Sequence, residues 1–352
     1  MDNRYFTLKI AEWYLINSRS LPWRETKNPY HIWLSEIILQ QTRVNQGLPY
    51  YKKFIEAFPT VFDLAKAPQQ KVLRLWQGLG YYTRARNLHQ CAQTIVTKDY
   101  GRFPETFEEL KALPGIGDYT AAAIASIAFG KRVAVVDGNV SRVLSRIYGI
   151  DTPINSPEGK KVFFDLANKI IPAENPDLHN QAMMEFGALH CTPKNPLCNS
   201  CIFASKCVAN KQSLQNVLPV KQRTTKIRKR YFYYFAIQKG KSFLLKKREG
   251  KDIWHGLYDF YLVEMKRSTS VQKILTTDKL LKNLKTKKEL NVSGLYKHVL
   301  THQVIYSRFT EIHLDVSPVV NESGLKLYPI NKIAELPKPV LISRFLAERE
   351  LL

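Results

Sequence analysis

Two carboxylic acids in this sequence occupy positions that could tune them for acid–base chemistry, and Glu36 is the first. It lies within the strongly apolar residues 30–44, which have helical periodicity. At helical spacing the same face carries Leu39, Gln40 and Arg43, so this face is either partly buried or lines a cleft. Burial would raise the pKa of the Glu36 carboxyl and suit it to act as a general acid. An exposed glutamate paired with Arg43 or a lysine fits this segment equally well.

The second carboxylic acid, Asp137, stands immediately before another helical pattern. Residues 113–117 read LPGIG, and the proline with Gly115 and Gly117 indicates a tight hairpin with uncovered amides. The Ala-rich residues 120–129 follow as a helix, which makes the hairpin a candidate phosphate site at a helix N-terminus. A phosphate cradle followed by a carboxylate suits an enzyme that holds a nucleic-acid backbone during chemistry. An ordinary glycine turn and an N-cap aspartate are the structural alternatives.

Four of the five cysteines fall within a short segment with the spacing C-x6-C-x2-C-x5-C: Cys191, Cys198, Cys201 and Cys207. Such a group in an intracellular chain favours metal over disulfides. Structural zinc usually takes two closely spaced cysteine pairs, whereas one pair flanked by single cysteines suits an iron–sulfur cluster. We therefore expect a cluster, with zinc as the alternative. The fifth cysteine, Cys91, is expected to be a small buried residue.

The composition indicates a globular protein with a polyanionic partner. The 352 residues are enough for two or three domains. Lys and Arg outnumber Asp and Glu by 53 to 30, and the formal net charge of +23 favours nucleic acid or an acidic membrane surface. The sequence has no apolar run of the ~20 residues that span a membrane and no signal-peptide pattern. We therefore expect a soluble intracellular protein.

The periodicity divides the chain into a helical part and a part rich in strands. Helical patterns account for the chain up to the cysteines, and a polar, basic stretch at residues 216–230 is expected to be a linker. From residue 231 the pattern changes to strands, YFYYFAI, SFLLKK, DFYLVEM and VIYSRFTEIHLDV, before a closing helix at 340–352. The sequence therefore predicts a separate α+β domain after the helical region.

These motifs in combination resemble one family. LPGIG, the VDGN after it and the cysteine spacing resemble the helix-hairpin-helix glycosylases of the endonuclease III superfamily. PYHIWLSEIILQQTRV, GLGYYTRARNL and the C-terminal domain are similar to the adenine DNA glycosylases of the MutY family. The resemblance implies a mostly α glycosylase fold with an iron–sulfur loop at 1–215, the linker at 216–230 and a Nudix-like α+β domain at 231–352. Within the first part it implies a six-helix subdomain at about 23–130 and an iron–sulfur subdomain formed by 1–22 with 131–215.

The implied activity is removal of adenine mispaired with 8-oxoguanine or guanine in double-stranded DNA, after the base is flipped out of the helix. The resemblance also implies one [4Fe-4S] cluster on the four cysteines, a monomer, and a bacterial-like cytoplasmic enzyme associated with the nucleoid. The runner-up is another mismatch glycosylase of the superfamily, for instance one that removes thymine from T·G. A non-catalytic DNA-binding protein with a zinc finger is the rival from another class.

The resemblance assigns catalytic roles to four residues. Glu36 would protonate N7 of the adenine and later manage the attacking water, and Asp137 would stabilise the oxocarbenium-like sugar. Tyr119 and Asn139 would support them. Tyr119 stands where bifunctional relatives carry a lysine that forms a Schiff base, and Ser141 stands where some adenine glycosylases carry one, so a monofunctional enzyme is expected.

Other residues match family positions that contact the substrate or the DNA. The residues that would shape the adenine pocket are Arg19, Leu21, Trp23, Arg24 and Leu39. Those that would enter the DNA helix around the flipped base and the oxidised guanine are Gln40, Gln41, Thr42 and Tyr81. Gly115 and Gly117 belong to the phosphate-binding hairpin, whose carbonyls would hold a cation. Leu300, Thr301 and His302 match the loop that inspects 8-oxoguanine, where relatives often have Phe-Ser-His. The C-terminal domain lacks the Glu-rich Nudix signature, so no pyrophosphatase activity is expected.

Overall fold

The computed structural model describes residues 2–222, 227–250, 252–284, 290–315 and 324–351, and residues 223–226 of the predicted linker lie outside this set. The chain forms two compact units. The helical unit comprises Met1–Lys66 with Asn87–Arg223, and the mixed unit comprises Ala67–Arg86 with Thr224–Leu352. In the described residues, no helix combines the length and apolar character that crossing a membrane requires.

The first part of the chain is helical, as the sequence predicts. Its helices are α1 Asn3–Asn17, α2 Pro29–Leu39, α3 Val44–Ala57, α4 Val61–Lys66, α5 Gln69–Leu75, α6 Tyr82–Asp99, α7 Phe107–Lys111, α8 Asp118–Phe129, α9 Gly138–Tyr148, α10 Pro157–Ile170, α11 Pro176–Leu189 and α12 Val208–Lys211. Helix α5 belongs to the mixed unit, and α6 begins there.

Helix α8 lies at the centre of the helical unit because its side chains are small. Residues 120–127 of this helix are all buried, and α2 packs against it. The helix ends at Gly130, whose φ of +65° is a conformation that favours glycine. A second core forms where α1, α9 and α11 meet around Phe6, Phe186 and Phe203. These two cores fix the ends of α2, α8 and α9, which carry the candidate catalytic residues.

The mixed unit is built on a sheet with strands in the order β3-β2-β1-β7-β5. Strands β4, β6 and β8 pair with β1, β7 and β2. The bounds are β1 Arg228–Lys239, β2 Ser242–Lys247, β3 Tyr258–Asp259, β4 Tyr261–Met265, β5 Asn291–Val292, β6 Tyr296–Val299, β7 Gln303–His313 and β8 Lys326–Pro329, with α13 Val271–Thr277, α14 Ile330–Glu335 and α15 Val340–Ala347. Strands β1 and β7 run parallel, with Arg228 opposite Gln303 and Gln238 opposite His313.

The elements differ from the sequence expectations at a few ends. The helix that carries Glu36 stops at Leu39, so Gln40 and Arg43 are not on its face as expected. The C-terminal helix ends at Ala347, before the predicted residue 352, and DFYLVEM forms two short strands on either side of Phe260. Residues 67–86, which the sequence places in the six-helix subdomain, group with the mixed unit. The remaining domain boundaries stay predictions.

Candidate active site

Glu36 is buried inside the helical unit, with 7% of its surface exposed. Helix α2 begins at Pro29, and the Asn28 side chain caps it by accepting a hydrogen bond from the Tyr30 amide. The pKa of Glu36 is raised to about 7, chiefly by burial and in smaller part by the charge of Asp137, while the Tyr119 hydrogen bond and the charge of Arg24 oppose the rise. The alternative of an exposed glutamate paired with Arg43 is therefore wrong. A carboxyl with this pKa exchanges its proton readily near neutral pH.

Tyr119, in the first turn of α8, faces Glu36. Its hydroxyl donates a hydrogen bond of 2.6 Å to Glu36 Oε2 and lies 3.4 Å from Met184 Sδ. Burial, followed by the charges of Glu36 and Asp137, raises the pKa of the Tyr119 phenol well above its usual value. The phenol therefore keeps its proton and acts as a donor toward the carboxylate form of Glu36.

Asp137 is the N-cap of α9. The N-cap aspartate that the sequence offered as an alternative is therefore the geometry that this residue adopts. Its Oδ1 accepts hydrogen bonds from the amides of Asn139 at 2.8 Å and Val140 at 2.7 Å, and Oδ2 accepts one from Asn139 Nδ2 at 2.7 Å. Burial raises the pKa of Asp137, and these hydrogen bonds oppose the rise. The position of the carboxylate at a helix N-terminus further favours its charged form. Its charge acts on Glu36 as well, so the two predicted acids belong to one site.

The polar side chains around Asp137 are themselves held in place. Arg142 donates to the Asn139 side-chain oxygen at 2.8 Å and to the carbonyls of Gly187 and Cys191. Ser141 donates its hydroxyl hydrogen to the Asp137 carbonyl at 2.8 Å. Asn139 therefore has a fixed orientation, while Ser141 is engaged with the backbone of its own helix.

Arg19 and Arg24 converge on Glu185, which the sequence analysis did not identify. Glu185 lies in α11, and its side chain is only 1% exposed. It accepts hydrogen bonds from the Arg19 amide, Nε and Nη2 at 2.6–3.0 Å and from Arg24 Nη1 and Nη2 at 3.0 and 2.8 Å. Burial alone would raise the pKa of Glu185, but the arginine hydrogen bonds outweigh it and lower the pKa to about 2. The available signal was an acidic residue in the apolar run AMMEFGAL.

The other predicted pocket and DNA residues lie close to α2. Leu21 and Trp23 are buried, and the Trp23 ring packs edge-on against Tyr51 with 5.0 Å between ring centroids. Leu39, at the end of α2, is half-buried. Gln40, Gln41 and Thr42 form the turn from α2 to α3, where Gln41 has a φ of +54° and Gln40 Nε2 donates to Thr120 Oγ1 at 3.2 Å.

The LPGIG hairpin has the conformation that the sequence predicts. Gly115 has a φ of +76°, and a Cβ there would lie 2.5 Å from Asn87 Cβ, so only glycine fits. Gly117 is the N-cap of α8, which places the hairpin amides at a helix N-terminus. Amides in this position suit an anion such as phosphate.

All four cysteines of the C-x6-C-x2-C-x5-C motif line a single pocket. The five cysteines of the chain lie among the described residues and are free thiols. Arg146 is 2% exposed and donates from Nη1 to Cys191 Sγ at 3.4 Å, while its carbonyl accepts from the Cys207 thiol at 3.3 Å. In the described parts of the chain, no three or more His, Cys, Asp or Glu side chains are placed to hold a metal ion.

In the mixed unit, the loop at residues 300–302 lies next to Tyr81, and both are predicted to recognise the DNA. Leu300, Thr301 and His302 form the loop between β6 and β7, closed by a hydrogen bond from the Leu300 amide to the Gln303 carbonyl at 2.8 Å. Tyr81 has a φ of +47°, and its hydroxyl forms a hydrogen bond with the Thr301 hydroxyl. The Thr301 side chain and the tyrosine predicted to enter the DNA are therefore in direct contact.

Comparison with known proteins defines the class. The HhH-GPD superfamily of base excision DNA repair proteins matches residues 34–170, and the NUDIX domain family matches residues 233–348. The fold resembles a thermostable thymine-DNA glycosylase, with a TM-score of 0.56 and 30% identity over 60% of this chain and 97% of that one. It also resembles endonuclease III in a non-covalent DNA complex, with a TM-score of 0.52 and 25% identity over 61% and 99%. The fold is that of a DNA glycosylase of the helix-hairpin-helix superfamily.

The sequence relatives define the family. Adenine DNA glycosylase of Buchnera aphidicola from Schizaphis graminum is 35% identical over 93% of this chain and 90% of its own length. The enzyme of Buchnera aphidicola from Baizongia pistaciae is 37% identical over 97% and 96%, and the rat enzyme is 42% identical over 60% and 43%. The chain belongs to the adenine DNA glycosylase family. It is an enzyme of base excision DNA repair, as the sequence resemblance predicted.

Proposed function

We propose that this enzyme removes adenine mispaired with 8-oxoguanine or guanine in double-stranded DNA and leaves an abasic site. The observation that carries this proposal is the buried Glu36, whose pKa of about 7 suits a general acid, beside the hydrogen-bonded carboxylate of Asp137. A glycosylase reaches its base only after flipping it from the stack, so the adenine would enter the pocket near Arg19, Leu21, Trp23, Arg24 and Leu39.

The first step is acid-assisted cleavage of the glycosidic bond. Adenine is a poor leaving group until its ring is protonated, and Glu36 transfers its proton to N7. The C1′–N9 bond then breaks, its electron pair goes to the base, and adenine leaves as a neutral molecule. Tyr119 donates a hydrogen bond to the Glu36 carboxylate that results, at the 2.6 Å distance of the free enzyme.

The second step is capture of the sugar by water. Positive charge on C1′ and the ring oxygen is stabilised by the Asp137 carboxylate, which the amides of Asn139 and Val140 keep fixed. A water molecule adds to C1′ and passes one proton to the Glu36 carboxylate, which restores the acid. The products are free adenine and an abasic site.

The same residues support a monofunctional enzyme. A Schiff base at C1′ needs an amine, and the residue that faces Glu36 is Tyr119. Ser141, the other position considered, donates its hydroxyl hydrogen to the Asp137 carbonyl. Strand cleavage after base loss would then need alkali or a second enzyme.

The partner base would be inspected by the mixed unit, where Leu300, Thr301 and His302 form the recognition loop. The Thr301 hydroxyl and the His302 ring offer polar groups to 8-oxoguanine, and the contact between Tyr81 and Thr301 supports a joint role. Gln40, Gln41 and Thr42 would enter the helix from the turn after α2. Gly115 and Gly117 would present amides to a phosphate, with a cation on the hairpin carbonyls, and the enzyme would act as a cytoplasmic monomer.

The four cysteines fit one [4Fe-4S] cluster. They line one pocket around Arg146, and their spacing in the sequence, one close pair flanked by single cysteines, suits a cluster. A bound cluster would supply a covalent cross-link between the end of α11, at Cys191, and the loop that reaches Cys207.

The proposal is tested with three duplexes, carrying A·8-oxoguanine, A·G and T·G, each heated in alkali after incubation with the enzyme. We expect breaks at the adenine of the first two and none in T·G. Since a solved neighbour is a thymine-DNA glycosylase, the second candidate function is thymine removal, and breakage of T·G alone would establish it. Breakage before heating would contradict the monofunctional mechanism.

A further inference from the structure

Arg230, near the start of β1, is a buried cation held by two carboxylates. Only 7% of its surface is exposed. It donates to Asp252 from Nη1 at 2.9 Å and from Nη2 at 3.2 Å, and to Glu264 from Nε at 2.8 Å and from Nη2 at 2.7 Å. Arg248 binds Asp252 and also Asp259, at 2.7 Å. Every nitrogen of the Arg230 guanidinium is thus engaged, and its plane is fixed.

The same guanidinium reaches the recognition loop. Arg230 Nη1 is 3.4 Å from Gln303 Oε1, and Gln303 follows His302 directly. Two residues earlier on β1, the Arg228 amide donates to the His302 carbonyl at 3.1 Å. The rings of Trp254 and His298 lie 6.0 Å apart, so the turn after Asp252 also packs on the strand that enters the loop.

Asp252 is also connected to the segment that carries Tyr81, residues 73–86, which is called the Tyr81 segment below. Its carbonyl accepts the His255 amide at 3.1 Å, and the His255 carbonyl accepts Arg86 Nη1 at 2.8 Å. Gly256, with a φ of +84°, passes so close to the Tyr81 segment that a Cβ there would lie 3.1 Å from Leu73. The turn at residues 252–256 therefore contacts both the segment that carries Tyr81 and the strand that carries the loop.

We propose that Arg230 and Asp252 form a positioning pair that holds the Tyr81 segment and the recognition loop in one fixed arrangement. This arrangement sets the preference of the enzyme for 8-oxoguanine over guanine as the base opposite the adenine. This inference rests on the proposed function. Arg230 is too buried to touch DNA, and a buried ion pair is by itself weak evidence of a stabilising role. Recognition by hydrogen bonds is sensitive to displacements of less than 1 Å, so a relaxed loop loses discrimination before it loses the fold.

The test measures single-turnover adenine excision opposite 8-oxoguanine and opposite guanine, with the full-length chain. Arg230→Met removes the pair, and Gln303→Leu removes only the contact with the loop and leaves both carboxylates paired. The ratio of the two rates should fall about tenfold in each variant, while the rate opposite guanine stays within about twofold of wild type. Arg349→Met is the control, because it removes a partly buried ion pair with Glu311 near the other end of β7, away from the recognition loop; its ratio should not change.

The variants separate positioning from general destabilisation. If Arg230→Met fails to fold, Gln303→Leu still decides the question. A ratio unchanged in Gln303→Leu, or lowered equally in Arg349→Met, overturns the inference while the proposed function stands. A wild-type enzyme with no preference between the two partners overturns the proposed partner recognition, and this inference with it.

Discussion

Tyr119 donates its hydroxyl hydrogen to Glu36 across 2.6 Å, although 83 positions separate the two residues in the sequence. The bond joins the first turn of α8 to α2 inside the helical unit. It matters most after Glu36 has given up its proton, because a phenol with a raised pKa remains a donor to the carboxylate. One acid can therefore serve in both steps, first as proton donor and then as base.

Asp137→Asn should lower the excision rate by about a hundredfold to a thousandfold, the range typical for loss of one electrostatic stabiliser of a transition state. Asparagine keeps the cap on the Asn139 and Val140 amides but turns its NH2 group toward Asn139 Nδ2, so the free energy of unfolding should fall by about 1–3 kcal/mol while the protein stays folded. Single-turnover kinetics and urea denaturation check the two parts. A rate within about threefold of wild type would remove Asp137 from the mechanism.

The excision rate should depend on pH through Glu36. Its pKa is about 7, and the protonated form is the active one, so the rate should fall as pH rises through about 7. Well above that pKa the fall should approach tenfold per pH unit. Single-turnover rates between about pH 5.5 and 9 measure this profile. A rate that rises across this range would indicate that the carboxylate form acts first.

Glu185→Gln should destabilise the helical unit by about 2–4 kcal/mol, because it leaves Arg19 and Arg24 without their shared carboxylate. The side chain of Glu185 is 1% exposed, whereas those of Arg19 and Arg24 are 36% and 15% exposed. Because the two arginines can regain some hydration in the variant, we expect a destabilisation in the lower half of this range. Urea denaturation measures the change. The exposed pair Lys9–Glu12 provides the control, since Lys9→Met should cost less than about 1 kcal/mol. Equal losses of stability in Glu185→Gln and Lys9→Met would show that the ion pairs of Glu185 contribute no more than an exposed surface pair.

The purified protein should be brown, with visible absorption and about four iron atoms per chain. Cys198→Ala should lose the colour, whereas Cys91→Ala should keep it, because Cys91 is buried alone in α6. Absorption spectra and metal analysis of both variants decide the point. A colourless wild-type protein with one zinc per chain would contradict the cluster.

The sequence predicted those parts of the site that local patterns encode. Glu36 in an apolar helix, Asp137 before α9 and the LPGIG hairpin each have a pattern of a few residues, and the structure agrees with their positions. The order of helices and strands followed from periodicity in the same way. The β1 and β7 strands were also recognisable, because residues 231–237 are a continuous aromatic and apolar run and the β7 segment alternates between apolar and polar residues.

Contacts between distant residues could not be predicted in this way. Glu185 binds Arg19 and Arg24, which are more than 160 positions away in the sequence, and the residues around Glu185 do not indicate which partners it has. The end of α2 at Leu39 was missed because Gln40, Gln41 and Thr42 continue the helical pattern, and only the φ of +54° at Gln41 shows the turn. The contact between Tyr81 and Thr301 likewise depends on how the chain folds back.

The central claim is that Glu36 supplies the proton that releases adenine. The most direct measurement is single-turnover excision by Glu36→Gln on a duplex with A·8-oxoguanine, together with the affinity of the same variant for that duplex. Glutamine keeps the shape and a hydrogen bond with Tyr119 but carries no transferable proton. We predict a loss of at least about a thousandfold in rate with affinity unchanged within about threefold. Excision at a rate near that of wild type would contradict the account.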